Sequence, residues 1–311
     1  MPVKSEKKPK VLVILGPTAS GKTAIGVRLA AKLNGEIISA DSRQVFRGMD
    51  IGTGKDLGEY IVDGQEIPYH LIDVVSPNTN FNLAKFQRLS LAAIKDILER
   101  KKLPMIVGGS GLYVQVLVDN FTLAKGKSDL KLRAELELLG ADELFEKLKK
   151  QAPEFAEALN NSDRHNSRRL ARYLEIAKEG RLGDVGKRPA PYDYLVLGTY
   201  RPGEELRSRI AKRLKDRLEN EGLVEEVQEL HRKGVSWKRL ISFGLEYKFI
   251  SLFLIGELSY DEMVFKLENA ICQFAKRQKS WFKRWEGQGE KINWISSEAE
   301  GLKIINNWLE K

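Results

Sequence analysis

The chain has 311 residues, a single cysteine (Cys272) and a formal net charge of +9. That length buries a large core unaided, and one cysteine excludes both a disulfide framework and a Cys-rich zinc site. No apolar run approaches the roughly 18 residues of a membrane span or follows the lysine-rich start as a signal peptide would. The expectation is a cytoplasmic protein, and the excess positive charge points to a polyanionic partner, most simply a nucleic acid.

Taken in chain order, Lys10–Leu15 is an unbroken apolar run ending at glycine, the pattern of a strand buried on both faces of a parallel sheet. Lys22–Leu33 has helical spacing, Glu36–Ala40 reads as a second strand stopping at Asp41, and Leu83–Lys101 as an amphipathic helix. Pro104–Val107 is a third strand, closed by Gly108 and Gly109. This alternation predicts an α/β fold, a parallel sheet flanked by helices with ligands at the strand C-terminal ends. From about Phe121 to Pro191 strand-like runs vanish. Leu130–Lys150, Glu154–Leu159 and Ser167–Glu179 read as charged helices, and Gly180–Pro191 as a return linker. Tyr194–Tyr200 is another strand, and the last third is helical over Gly203–Glu221, Val224–Lys233, Tyr247–Leu254 and Ser259–Trp285. A short apolar piece, Ile292–Ile295, precedes a terminal helix. The predicted organisation is an α/β core with C-terminal helices over residues 1–120 and 192–311, with a helical insertion domain over 121–191.

Gly16-Pro17-Thr18-Ala19-Ser20-Gly21-Lys22-Thr23 fits the phosphate-loop pattern, with the buried strand before it and the helix after it that the pattern requires. Its glycines let backbone N–H groups curl toward phosphate oxygens, and the helix N-terminus adds partial positive charge. Lys22 reaches an outer phosphate, and the Thr23 hydroxyl suits Mg²⁺. Alone, the loop does not name a reaction. Asp41 reads equally as a carboxylate at the ligand edge of the sheet and as a turn or cap residue. Asp73 reads as a turn residue in preference to a metal-side carboxylate, and His70 as structural. Arg209, Arg213 and Arg217 share one face of the helix from Gly203, a pattern usually belonging to a solvated face.

The phosphate loop, the run Ile38-Ser-Ala-Asp41-Ser42-Arg43-Gln44-Val-Phe-Arg-Gly-Met-Asp-Ile-Gly-Thr53, and Gly108-Gly-Ser110-Gly-Leu-Tyr113 together resemble the tRNA dimethylallyltransferase family. The likeness continues through His70-Leu-Ile-Asp73, Asn166-Ser167-Arg168-Arg169-Leu-Ala-Arg172, Phe243-Gly-Leu-Glu-Tyr247 and Ala275-Lys-Arg277-Gln278-Lys-Ser-Trp281-Phe282, in family order over nearly the whole chain. The resemblance implies transfer of a dimethylallyl group from dimethylallyl diphosphate to N6 of adenine 37 in the tRNA anticodon stem-loop, by a monomer using Mg²⁺. It makes Asp41 the general base and sets Lys22, Thr23 and an arginine, Arg209 before Arg213, on the departing diphosphate. It assigns tRNA contacts to Asp41, Ser42, Arg43, Gln44, Ser110, Arg133, His165, Asn166, Ser167, Arg168, Arg169, Gln273, Arg277, Gln278 and Trp281. Chemistry on N6 of a stacked base implies a flipped adenine, whose edge Gln44 has the side chain to read. Ser110 stands where the family most often has threonine, and Cys272 where many members have arginine. The other readings of the loop are a small-molecule P-loop kinase and a prenyltransferase acting on free adenine nucleotides. The basic insertion and the Trp281-Phe282 cluster leave both unsupported.

Overall fold

A computed structural model describes residues 7–123, 130–182 and 186–311. The stretch before Lys7, part of the insertion and the middle of the expected Gly180–Pro191 linker lie outside the described residues. The chain forms two units, one spanning Met1–Val118 and Ala190–Lys311, the other Asp119–Pro189.

The first unit opens with β1 (Lys10–Leu15), α1 (Lys22–Leu33) and β2 (Gly35–Ser39). A small hairpin follows, β3 (Ile61–Val62) with β4 (Gln65–Glu66), then β5 (Tyr69–His70), α2 (Leu83–Glu99), β6 (Leu103–Gly108) and α3 (Gly111–Val118). After the insertion, which holds β7 (Phe121–Thr122) and β8 (Gly186–Lys187), it resumes with β9 (Asp193–Thr199). Then come α9 (Gly203–Glu219), α10 (Leu223–Arg232), α11 (Trp237–Ser242), α12 (Leu245–Leu254), α13 (Tyr260–Gly287), β10 (Ile292–Ile295) and α14 (Glu298–Leu309).

Six strands pair in the order β10-β9-β1-β6-β2-β5, every pair parallel. The middle strands match the pattern: β1 and β6 are almost wholly apolar, β2 is buried along its length, and such strands take the middle of a sheet covered on both faces. Leu12, Ile14, Ile37, Met105 and Leu197 point to one face, where Ile25 and Leu29 of α1 and Ile305 of α14 cover them. The path from β1 through α1 to β2 runs opposite across the sheet to the path from β5 through α2 to β6. Right-handed crossovers therefore set α1 and α2 on opposite faces. A second core forms where Val45, Phe46 and Met49, in the loop after β2, pack with Leu206 and Ile210 of α9, Val227 of α10, Tyr247 of α12 and Leu267 of α13. The C-terminal helices are thereby fastened over the strand ends that hold the phosphate loop.

Expectation and structure part in a few places. β5 pairs with β2 through only two residues, too short to show as a strand in sequence. Gly111–Val118, almost wholly apolar, folds as α3, and Trp237–Ser242 as α11, capped by Ser236 accepting from the Arg239 N–H at 3.2 Å. No described helix is long and apolar enough to cross a membrane.

The second unit contains β7 (Phe121–Thr122), α4 (Leu130–Glu137), α5 (Ala141–Gln151), α6 (Pro153–Ala158), α7 (Asn161–Arg164), α8 (Ser167–Lys178) and β8 (Gly186–Lys187). The stretch Leu130–Lys150 is not one helix. Gly140 starts a new one, its N–H donating to Oε2 of Glu143 at 3.1 Å. The expected linker contributes β8, antiparallel to β7. Leu136, Leu144, Leu148, Ala156, Leu170 and Leu174 give this unit a core of its own.

Candidate active site

The phosphate loop follows β1, and its shape is enforced from outside the motif. Ala19 (φ 60°) and Gly21 (φ 85°) are left-handed, turning the chain sharply into α1. A Cβ on Gly16 would collide with the hydroxyl of Thr199 at the end of β9. That buried hydroxyl pairs with Ser20 Oγ at 2.7 Å. The Thr18 N–H donates to Oε1 of Gln278 at 2.8 Å, and Gln278 Nε2 donates to the Gly109 carbonyl at 2.8 Å. One buried amide from α13 thus ties the phosphate loop to the Gly108-Gly109 loop after β6. Gln278 is a structural bridge here, not an exposed tRNA contact, and the Thr18 N–H it holds is withdrawn from phosphate.

Lys22 Nζ lies 3.4 Å from the Pro17 carbonyl. Burial lowers its pKa to about 8, partly opposed by Asp41 and reinforced by Arg213. Lys22 and Thr23 line a cleft of about 450 Å³ with Ala19, Gly21, Arg209 and Arg213. An adjoining cavity of about 60 Å³ shares Lys22, Thr23 and Arg213 and adds Asp41, Thr53, Gly54 and Arg217. The loop and the candidate base therefore border one space.

Asp41 combines both readings of it. Its Oδ1 accepts from the Arg43 N–H at 2.8 Å, a turn-stabilising bond that orients the carboxylate. Among the described residues Oδ2 has no hydrogen-bond partner. Ser42 is exposed, its N–H 3.4 Å from Ser110 Oγ. Two neighbours depart from expectation. Arg43 forms a mostly buried ion pair with Glu246 of α12 at 2.9 Å, so it braces the loop and is not offered to tRNA. The Gln44 amide is occupied at both ends, accepting from Ser39 Oγ at 2.7 Å and donating to the Gly54 carbonyl at 3.0 Å, which leaves no paired edge for an adenine. Asp73 is a turn residue, left-handed at φ 55° and ion-paired with buried Lys55, and His70 bonds Glu36 at 2.8 Å.

On α9, Arg209 Nε donates to the Ala19 carbonyl at 2.9 Å, at the rim of the phosphate loop. Arg213 pairs with Asp56. On α13, Gln273 and Arg277 are exposed, the Arg277 guanidinium 5.9 Å from the Phe274 ring. Phe282 is core. Trp281 packs against Gly111 and donates to Gln115 Oε1 at 3.1 Å, while Arg284 lies 4.4 Å over its outer face. The ring is half-buried and held in place by these contacts.

Of the insertion residues, Arg168 and Ser167 are exposed on α8, whereas Asn166 caps that helix, accepting from the Arg169 N–H at 3.2 Å. Arg169 pairs with Asp163, Arg133 with Glu175 at 3.1 Å, and His165 Nδ1 lies 2.8 Å from the Asn161 carbonyl.

Sequence reasoning missed Glu226 of α10. Its carboxylate accepts the successive N–H groups of Asp50 (2.8 Å), Ile51 (2.6 Å) and Gly52 (3.1 Å) and the Tyr247 hydroxyl (2.7 Å). It clamps the loop whose continuation, Thr53 and Gly54, walls the small cavity. Nothing in Glu225-Glu226 distinguishes it from a surface pair until the loop is folded onto it.

A family model described as IPP transferase matches residues 44–285. The chain is 48% identical to tRNA dimethylallyltransferase 2 of Citrifermentans bemidjiense over 298 residues, 96% of this chain and 94% of that protein. It is 46% identical to tRNA dimethylallyltransferase 1 of Syntrophus aciditrophicus over 298 residues, covering 94% and 96%. Among solved structures, the full-length tRNA isopentenylpyrophosphate transferase of Bacillus halodurans superposes with a TM-score of 0.69 at 35% identity, covering 97% of this chain and 96% of the other. A eukaryotic dimethylallyltransferase acting on tRNA superposes at 0.73 with 28% identity, covering 88% and 69%. With this agreement across nearly its whole length, and a phosphate loop joined to Asp41 through one space, the chain belongs to the IPP transferase family.

Proposed function

We propose that this protein transfers the dimethylallyl group of dimethylallyl diphosphate to N6 of adenine 37 in tRNA and releases diphosphate. The observation that carries the reading is the shared space between Lys22 and Thr23 on one side and Asp41 on the other. The anion grip adjoins a carboxylate with an open oxygen, which suits any acceptor that must lose a proton, and the relatives named tRNA dimethylallyltransferase favour an adenine amine over a kinase's hydroxyl. The N6 lone pair is delocalised into the ring, so attack on the allylic carbon gains from Asp41 Oδ2 taking the N6 proton as the N–C bond forms and the C–O bond breaks. The leaving diphosphate takes the bonding electrons, and Lys22, the loop amides and Arg209 stabilise its charge.

Mg²⁺ fits the residues present. Among the described residues no group of three or more His, Cys, Asp or Glu is arranged to hold a metal. A Mg²⁺ ion would thus take the Thr23 hydroxyl with diphosphate and water oxygens, the hard oxygen set it favours. Bound there it would neutralise part of the leaving charge. The exposed Arg168 supports contact of the insertion with the tRNA backbone.

The test is incubation with dimethylallyl diphosphate and unmodified tRNA, followed by mass spectrometry of the digested nucleosides. Prenylated adenosine in tRNA is expected, with none formed on free AMP or ATP. Phosphoryl transfer from ATP without prenylation would sink the proposal. Asp41→Asn is expected to slow turnover about 10²–10⁴-fold while pyrophosphate affinity holds.

A further inference from the structure

Arg217 is the third arginine of the α9 stripe, and it behaves unlike the other two. It is 6% exposed, and its Nε and Nη2 are buried with no hydrogen-bond partner. Its nearest acid is Asp56, whose Oδ1 lies 3.5 Å from Nη2, and the other oxygen of that carboxylate already serves Arg213. Two guanidinium groups therefore share one carboxylate, beside the ammonium of Lys22. Leaving buried charged donors unpaired costs a fold several times an ordinary hydrogen bond, so a purely structural role does not account for this residue. Burial and the neighbouring Arg213 hold its pKa below the usual arginine range, the sign of a charge short of counter-ions.

The backbone makes room for the arrangement. Gly54 is left-handed at φ 63°, and a Cβ there would collide with the Nη2 atoms of both Arg213 and Arg217. The two guanidinium groups converge over this glycine and line the small cavity with Lys22, Thr23 and Asp41. Glu246, which also borders that cavity, is taken by Arg43. Among the described residues facing the space, Arg43 holds Glu246 at 2.9 Å and Arg213 holds Asp56, whereas Arg217 reaches Asp56 only at 3.5 Å.

We propose that Arg217 is an anion-binding residue of this cavity, whose open Nε and Nη2 donors bind an oxygen of the diphosphate held by the phosphate loop. The inference rests on the prenyl-transfer reading and deepens it. It adds a donor to the diphosphate grip beyond the arginines at the loop rim. Such a residue is retained for its ligand and works against the empty fold.

The experiment titrates inorganic pyrophosphate into wild-type protein, Arg217→Met and Arg217→Lys by calorimetry, with thermal melts of each free protein and separate tRNA titrations. Arg217→Met is expected to weaken pyrophosphate binding at least tenfold, to leave tRNA affinity unchanged, and to melt at the same temperature as wild type or higher. Arg217→Lys keeps the charge but loses the fork, and a several-fold loss is expected. The lysine variant decides the matter if the methionine variant does not fold. Unchanged pyrophosphate affinity in the variants overturns the inference while leaving the prenyl-transfer reading intact. So does a lowered melting temperature with intact binding, or a loss confined to tRNA. A wild-type protein that binds no pyrophosphate overturns both.

Discussion

On α9 three arginines line up toward the phosphate loop and its cavity: Arg209 reaches the Ala19 carbonyl, Arg213 pairs with Asp56, and Arg217 is buried. On α8 of the insertion, equally rich in arginine, the side chains pair with acids of the same unit or stay in water. Arg169 meets Asp163, Arg172 lies 2.8 Å from Glu175, and Arg168 is exposed. The two sequences look alike, and one-turn spacing describes both. What separates them is the opposing surface. Against α9 stands a phosphate loop, and Arg213 and Arg217 share Asp56 inside a cavity. Around α8 the paired arginines meet Asp163 and Glu175 of their own unit, with Arg168 exposed at the surface. What a basic helix packs against, and not its spacing, decides what its charges face.

Breaking that contrast on the α9 side should have the largest effect. Arg209→Ala is expected to lower kcat about 10²–10³-fold, the usual consequence of removing a donor from developing negative charge, with tRNA affinity unchanged. Steady-state kinetics with each substrate varied checks it, and an effect on tRNA KM alone would erase the distinction. Gln278→Leu removes the bridge beneath the same loop and orphans the Thr18 N–H and the Gly109 carbonyl. A stability loss of about 1–3 kcal/mol in denaturant melts is expected, together with weaker pyrophosphate binding.

The pH dependence sharpens the comparison, because the lowered pKa lies on the inward side. Lys22 is charged below about pH 8 in the free protein, so pyrophosphate affinity should fall as pH rises through 8. Stability should move the other way. Between 8 and the ordinary lysine value the unfolded chain holds a proton that the folded chain has released, so the ligand-free fold gains stability with rising pH. Calorimetric titrations and melts across pH 7–10 test both signs, and Lys22→Met should abolish both trends.

The smallest effect belongs to α8. Arg168→Ala should weaken tRNA binding a few-fold and reduce the salt slope by about one, leaving single-turnover chemistry on bound tRNA unchanged. Equal salt slopes in the two proteins would remove Arg168 from the backbone contact.

How much of this was legible in the sequence depended on range. The β1 run, the phosphate loop and α1 are local patterns, and each formed where its periodicity said. Asp73 sits in a turn, as its local chemistry suggested, while His70 bonds Glu36, a partner 34 residues away that no local pattern shows. The roles of Arg43, Gln44, Gln278 and Glu226 were not legible. Arg43, Gln278 and Glu226 are decided by partners far along the chain, as Gln278 is by Thr18 and Gly109, and Gln44 by the fold of the loop that brings Gly54 back to it. The apolar Gly111–Val118 stretch was missed as a helix because an all-apolar run carries no period to read.

The bond from Gln278 to Thr18 has a consequence for inheritance. Eight residues satisfy the phosphate-loop pattern, but their shape here depends on Thr199 at the end of β9, Gln278 late in α13 and Arg209 between them. The motif is therefore not portable. A fragment ending before α13 would keep every letter of the loop and lose its fastening, and a graft of the loop alone into another sheet would arrive without its supports. The loop's shape rests on three distant stretches of chain at once.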